Sequence, residues 1–369
     1  MKKLIYCSTI PTSLNIFCRG LLRELSRYYE VVAVTSPGDE FDEIAEREQV
    51  RCLPVEMRRE ISPFADLRSL CRLIRLFRRE QPDAVHSFTP KAGLLCMMAA
   101  RIARVPIRIH TFTGLVWPTA TGLKRCIIRT TDRLTCACAT HLIAEGRGVR
   151  HDLLSGHITR KPVEVLGYGN VRGIDLNYWQ PTPRKKTTDT QALRFIFVGR
   201  LVPDKGINEL IQAFLQLLPR YPSSTLTLVG WFEDETPLPE QTLQAIRETP
   251  AIRYVGRHDD VRPFYQEADC LVFPSYREGF PNVVLEAGAM GLPAVVTDIN
   301  GSREIITSGE NGLIVPPHDA DQLLQAMLFM LENPDERIRM SICAKERIES
   351  RFDQKFVRKC LIDYYKCIF

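Results

Sequence analysis

The sequence has 369 residues and 12 cysteines, yet no Cys-x-x-Cys pair. The two closest, Cys136 and Cys138, are one residue apart, and no histidine stands at zinc-finger spacing. Neither a zinc site nor a disulfide framework is expected, and so many single thiols suit a reducing cytoplasm. No stretch approaches 18 uninterrupted apolar residues, so no spanning helix is expected. The start, MKKLIYCSTIPT, has an apolar run too short for a signal peptide and reads as a first strand. No Gly-x-Gly-x-x-Gly follows a predicted strand, which disfavours a dehydrogenase. A large excess of one charge is also missing. The 49 Lys+Arg against 44 Asp+Glu leave a net +5, which does not mark a nucleic-acid binder. With 45% hydrophobic and 25% charged residues, disorder is disfavoured as well.

What is present is an alternation. Short apolar runs recur at Lys3–Ser8, Val31–Thr35, Ala84–Ser87, Ile107–Thr111, His141–Ala144 and Val163–Leu166. They recur again at Leu193–Val198, Thr225–Val229, Ile252–Val255, Cys270–Phe273, Ala294–Thr297 and Gly312–Val315. Rich in Val and Ile, they read as buried strands. Helical patterns lie between them, as at Ala65–Arg79 and Ile207–Leu218. This predicts α/β architecture: two tandem doubly wound Rossmann-like domains facing a cleft. Residues 180–192 are polar, Pro-bearing and aperiodic, and are the linker candidate. The expected domains are 1–180 and 181–353, with a C-terminal helix, 354–369, rejoining the first. Charge divides the same way. Residues 1–180 carry 27 basic and 18 acidic side chains, and the remainder carry 22 and 26. Different partners for the two halves, or drift in surface composition, would both produce that split.

Two clusters stand out in the second half. The strand Leu193–Val198 ends in Gly199-Arg200, and Lys205-Gly206 precede a helix starting near Ile207. Glycines let backbone approach a ligand, a helix start favours anions, and Arg200 and Lys205 add cations suited to a diphosphate. A turn with a solvated Arg and Lys is the other reading. After Cys270–Phe273 comes Ser275–Pro293, with Glu278 in a loop and Glu286 in a helix from about Asn282 to Met290. Small and apolar neighbours around Glu286 argue that its carboxylate faces a partner rather than solvent. The backbone of Phe280, Pro281, Asn282 and Val283 could meet an anion at the helix start.

The pairing of VGRLVPDKGI with EGFPNVVLEAGAMGLP, extended by Tyr254-Val255-Gly256-Arg257 and GENGLIVP (Gly309–Pro316), resembles the GT-B-fold, retaining glycosyltransferases of family 4. In the first half, HSFTPKAGLL (His86–Leu95) and HTFTGLVW (His110–Trp117) are similar to bacterial capsule and O-antigen enzymes. GNVRGIDLNYW (Gly169–Trp179) is similar to the family's segment crossing between domains. The resemblance implies that Arg200 and Lys205 hold and stabilise the diphosphate of a nucleotide-sugar, with Gly199 beside them. It implies that Glu286 binds the ribose, Glu278 orients the donor sugar, and residues 280–283 supply backbone donors. The backbone of Arg257 would contact the base. UDP is the implied nucleotide, with a hexose or an N-acetylated hexosamine as the sugar. Glu278 is not assigned as a nucleophile.

Two departures qualify the match. The loop after the first strand, Ser8–Asn15, has no glycine until Gly20, and is expected to read the acceptor, with Asn15 as a contact. Where relatives carry His before a Gly, this chain has Thr113, whose hydroxyl could reach the donor sugar. His110, three positions earlier, reads either as an acceptor contact or as a satisfied structural residue. No metal or other cofactor is expected, because the two cations and a helix dipole compensate the diphosphate charge, and Asp259-Asp260 reads as a helix cap.

The basic half contains Arg58, Arg59, Arg68, Arg72, Arg75, Arg78 and Arg79, with Leu67, Leu70, Leu73, Ile74 and Phe77 on one helical face. Lys124–Arg133 is a second basic stretch. Arg72, Arg75 and Arg79 are candidate contacts for anionic headgroups or a lipid diphosphate, or simply a solvated helix face. The expected partners are a nucleotide-sugar and a lipid-linked or free saccharide, with no nucleic acid. The expected location is cytoplasmic, peripheral on the inner face of the membrane. The alternatives are a sugar-nucleotide epimerase on a similar fold and a non-catalytic carbohydrate-binding subunit.

Overall fold

The computed structural model describes residues 1–58, 60, 62–182 and 188–369, so Arg59 and the centre of the 180–192 stretch lie outside the described residues. The chain divides into two compact units. The first comprises Met1–Arg172 and Val357–Phe369, the second Gly173–Phe356. The division thus falls at Arg172/Gly173, earlier than the polar stretch at 180–192. Polarity marks solvent exposure, whereas the division is set by which core the flanking side chains enter. Ile174 and Trp179 already belong to the second unit's core.

Among the described residues the first unit is built on seven strands, β1 (Lys3–Cys7), β2 (Glu30–Thr35), β3 (Arg51–Pro54), β4 (Ala84–Phe88), β5 (Ile107–Phe112), β6 (His141–Ala144) and β7 (Val163–Glu164). All pair in parallel, in the order β3-β2-β1-β4-β5-β6-β7. Alternate side chains of one strand point to opposite faces. Ile5 and Cys7 therefore enter one core with Val32, Val34 and Val85, while Leu4 and Tyr6 enter another with Val31, Ala33 and Ala84. The second core is closed by Leu361, Ile362 and Tyr365 of the last helix, Gln354–Ile368. The Tyr365 hydroxyl donates to that of Tyr6 (3.0 Å) and pairs with His86. β3, absent from the expected strands, is a half-buried edge strand whose Arg and Pro hide the alternation.

The second unit holds β8 (Arg194–Val198), β9 (Thr225–Val229), β10 (Ile252–Gly256), β11 (Cys270–Phe273), β12 (Ala294–Thr297) and β13 (Gly312–Val315). They form one parallel sheet in the order β10-β9-β8-β11-β12-β13. The strand order reverses between β8 and β11. Doubly wound sheets bind ligands beyond the carboxyl ends of the strands at such a reversal. The loops after β8 and β11 are the two clusters singled out in the sequence.

The helix Pro63–Glu80 buries Ser69, Leu73, Leu76 and Phe77. Leu67, expected on the packed face, is instead 59% exposed beside Phe64 at 90%. The buried stripe is displaced because Ser69 enters it, its hydroxyl donating to the carbonyls of Glu56 (2.6 Å) and Ala65 (2.9 Å). Among the described residues, no helix is long and apolar enough to cross a membrane.

Candidate active site

The site in the second unit is assembled by two close backbone approaches. Gly206 has φ +68°, and a Cβ there would lie 2.1 Å from the carbonyl oxygen of Pro274. Only glycine brings the turn after β8 this near the loop after β11. Gly230, at the end of β9, has φ +151°, and a Cβ there would lie 1.7 Å from the Gly199 oxygen. Beyond this approach the Leu201 N–H donates to the Trp231 carbonyl at 2.8 Å. The two loops therefore leave the sheet side by side.

These approaches bring the candidate charges together. Lys205 Nζ forms an ion pair with Glu278, 73 positions away, and lies 5.4 Å from the centre of the Phe273 ring. Ser275, fully buried, donates to Glu278 Oε1 at 2.9 Å, and Thr297 donates to the Ser275 carbonyl. Glu278 is therefore held from the core side while Lys205 faces it. Arg200 Nη1 lies 2.9 Å from both carboxylate oxygens of Glu233, in the loop after β9. Glu233 was not among the candidates. Its link to Arg200 depends on the Gly199–Gly230 approach, which spacing does not reveal.

Glu286 lies on the helix Asn282–Ala289 and is only 8% exposed, so it does not face solvent. Burial pushes the Tyr265 phenol well above its ordinary range, and the nearby Glu286 carboxylate adds to that. Pro281 precedes this helix and lacks an N–H, so the donors at its start come from Phe280, Asn282 and Val283. The Phe280 ring is buried 5.5 Å from that of Phe352. Arg257 is exposed, its guanidinium 5.3 Å from the Trp231 ring centre. Asp260 accepts from Arg262 N–H at 3.1 Å and pairs with the Arg262 guanidinium, which holds its carboxyl down at about 2.

In the first unit, Asn15 donates to Glu40 (2.6 Å) and is half-buried. Thr113 is half-buried beyond β5 and lines a small pocket with His110, Gly114 and Asp132. His110 is 2% exposed and bonded through Nδ1 to Ser87 Oγ at 2.9 Å. A Cβ on Gly93 would sit 2.3 Å from its ring. Burial brings His110 down to about 3, and His86 likewise, so both imidazoles are neutral at physiological pH. Arg72, Arg75 and Arg79 are exposed; Arg72 lies 3.7 Å from Glu56 and Arg79 3.4 Å from Glu80.

Asp132 was also missed by sequence reasoning. It is 8% exposed on the helix Gly122–Cys138, and burial pushes its carboxyl up to about 7. A carboxyl raised in the folded state favours folding most below its unfolded value, near 3.8, and that advantage is lost as pH rises to about 7. The two buried histidines act oppositely, removing stability as pH falls from 6.5 towards 3. Asp132→Asn is therefore expected to raise stability, and with it the melting temperature, by at most about 4 kcal/mol at pH 8 and by about half as much at pH 5.5. Thermal denaturation of both proteins across that range is the check; an equal gain at both pH values would contradict the assignment.

Among the described residues, no group of three or more His, Cys, Asp or Glu side chains is placed to hold a metal ion. The sequence holds an Asp-x-Asp triplet, Asp319-Ala320-Asp321. Asp319 caps the helix Ala320–Glu332 by accepting from Gln322 N–H at 2.8 Å.

Comparison with known proteins agrees along the chain. The family model for glycosyl transferases group 1 matches residues 192–333, and that for a glycosyl transferase 4-like domain matches residues 14–169. The capsular polysaccharide biosynthesis glycosyltransferase CapM of Staphylococcus aureus is 30% identical over 371 residues, covering 99% of this chain and 97% of that one. The UDP-Gal:alpha-D-GlcNAc-diphosphoundecaprenol alpha-1,3-galactosyltransferase of Escherichia coli is 26% identical, covering 74% and 73%. Among solved structures, Anabaena HepE in complex with UDP-glucose superposes over the whole of both chains with a TM-score of 0.81, at 17% identity.

Proposed function

The chain belongs to the GT-B-fold glycosyltransferases of family 4, and from that premise we propose that it moves a sugar from a UDP-linked donor to a lipid-diphosphate-linked saccharide with retention of configuration. The observation that carries this reading is the Lys205–Glu278 pair, which joins the loops after β8 and β11 at the strand-order reversal of the second sheet, with Arg200 on the first loop and Glu286 on the helix that follows the second. Arg200 and Lys205 hold the diphosphate and neutralise it as it departs. Glu286 binds the ribose hydroxyls, Glu278 a hydroxyl of the donor sugar, and the Arg257 backbone the base. In the reaction the bond from C1 to the diphosphate oxygen breaks as one from C1 to the acceptor oxygen forms on the same face. The acceptor's proton passes to the departing diphosphate. Thr113 contacts the donor sugar, and no divalent ion is required. A hexose or an N-acetylated hexosamine is transferred.

The acceptor is assigned to the first, basic unit, with Asn15 nearby. A surface polysaccharide is the proposed product, in line with the name of the Staphylococcus relative, and the lipid-linked acceptor is in line with the diphosphoundecaprenol in the name of the Escherichia relative. Arg72, Arg75 and Arg79, with exposed Phe64 and Leu67 on the same helix, are proposed to meet the anionic inner face of the membrane. Binding to anionic vesicles at low salt tests this, and no binding removes it.

A thermal-shift screen of nucleotide-sugars tests the donor, because a bound ligand raises the melting temperature by mass action. A UDP-sugar is expected to give the largest shift. Transfer to polyprenyl-diphosphate sugars then tests the reaction. An epimerised nucleotide-sugar appearing without acceptor would overturn transfer in favour of isomerisation.

A further inference from the structure

Glu233 lies in none of the motifs that carry the family resemblance, yet it is the carboxylate that meets Arg200. Both of its oxygens lie 2.9 Å from the same nitrogen, Nη1. Among the described residues, no acceptor meets Nε or Nη2. A guanidinium grips phosphate best by two parallel N–H groups, and the Nε/Nη2 edge is one such pair. A carboxylate that blocked this grip would occupy that edge. Glu233 instead takes the far nitrogen and leaves the edge open.

The carboxylate is itself anchored. The Thr236 hydroxyl donates to its Oε2 at 3.3 Å. The loop that carries it is tied to Leu201, next to Arg200, by the 2.8 Å bond to the Trp231 carbonyl. A free arginine side chain has several rotatable bonds to immobilise on binding, and one clamped in advance has fewer. We propose that Glu233 is a positioning residue. It fixes the Arg200 guanidinium so that its Nε/Nη2 edge is presented to the diphosphate of a nucleotide. This rests on the proposed donor site and adds to it a residue acting through Arg200.

Charge alone predicts the opposite effect. Removing Glu233 makes the site more positive, which would tighten diphosphate binding. Both side chains are partly exposed, at 40% for Arg200 and 29% for Glu233, so that attraction is screened by solvent. Preorganisation then outweighs it, and the two effects differ in sign.

The test is calorimetric titration of the full chain with UDP, and in parallel with GDP, for wild type, Glu233→Ala, Glu233→Gln, Arg200→Ala and the Glu233→Ala/Arg200→Ala double variant. Glu233→Ala is expected to weaken binding about tenfold, within the range of a lost positioning contact. Glu233→Gln, which keeps one acceptor oxygen, should recover most of the loss. In the Arg200→Ala background the Glu233 substitution should change nothing further. With a donor in hand, Glu233→Ala should raise its KM more than it lowers kcat. Tighter binding by Glu233→Ala, or an undiminished effect without Arg200, would overturn the proposal. If Arg200→Ala itself leaves binding unchanged, or wild type binds neither nucleotide, the donor-site reading fails and takes this inference with it. Melting curves monitor folding; Glu233 is in a surface loop, and the Gln variant keeps its shape.

Discussion

Lys205→Ala is expected to lower kcat for sugar transfer by about 10²–10³-fold with the fold intact. The magnitude is that of removing one preorganised group from the place where charge develops in the transition state. Lys205 meets that description structurally. Its side chain is 15% exposed, with the ammonium over the Phe273 ring and paired with Glu278, and in that half-buried setting a point charge acts more strongly than in bulk solvent. Arg200→Ala should give a loss of similar size. The double variant should lose less than the product of the two, because both act on one diphosphate. The measurement is steady-state transfer with circular dichroism as the check on folding. Lys205→Ala leaves Glu278 without its cation, so part of the effect could arise from a displaced carboxylate. Lys205→Arg separates these: it restores the charge but not the compact point geometry, and should recover activity only in part.

Gly206→Ala is expected to cost more than a left-handed residue alone explains. Placing alanine at positive φ costs about 1–2 kcal/mol. At Gly256, φ +78° with nothing within 4 Å of an added Cβ, that should be nearly the whole cost. At Gly206, φ +68°, the Cβ would fall 2.1 Å from the Pro274 oxygen, which is backbone and cannot rotate away. The loops after β8 and β11 would have to part. The expected loss is roughly 3 kcal/mol or more, the range of strain at an overdetermined site, with transfer reduced as Lys205 and Glu278 separate. Thermal melts of the two variants side by side are the check. Equal melting temperatures would mean that the close approach does not hold the site together.

Much of this was legible in the sequence, for reasons that can be named. Strands buried on both faces of a parallel sheet must be apolar without a break, and so twelve of the thirteen strands among the described residues were visible as apolar runs rich in Val, Ile and Leu. β3 was not, because an edge strand with Arg51 and Pro54 need bury little. The clusters at Gly199–Gly206 and Ser275–Pro293 could be found because each is contiguous. The Lys205–Glu278 pair was not legible, since a separation of 73 residues is closed by topology and not by spacing. Glu233 and Asp132 escaped for the same reason. A carboxylate in a polar loop and an aspartate in a basic helix carry no local sign of what they will face. The division between units was misplaced because the polar segment and the change of core are different things, and Ile174 and Trp179 come before the polar residues begin.

The central claim is that the strand-order reversal of the second sheet is a nucleotide-sugar site. A crystal structure of the full chain with UDP, or with the nucleotide-sugar giving the largest thermal shift, tests it most directly. Diphosphate oxygens are expected on the Nε/Nη2 edge of Arg200 and on Lys205 Nζ, with the ribose hydroxyls on Glu286. A nucleotide bound away from these residues, or seated there with its diphosphate turned from both cations, would contradict it.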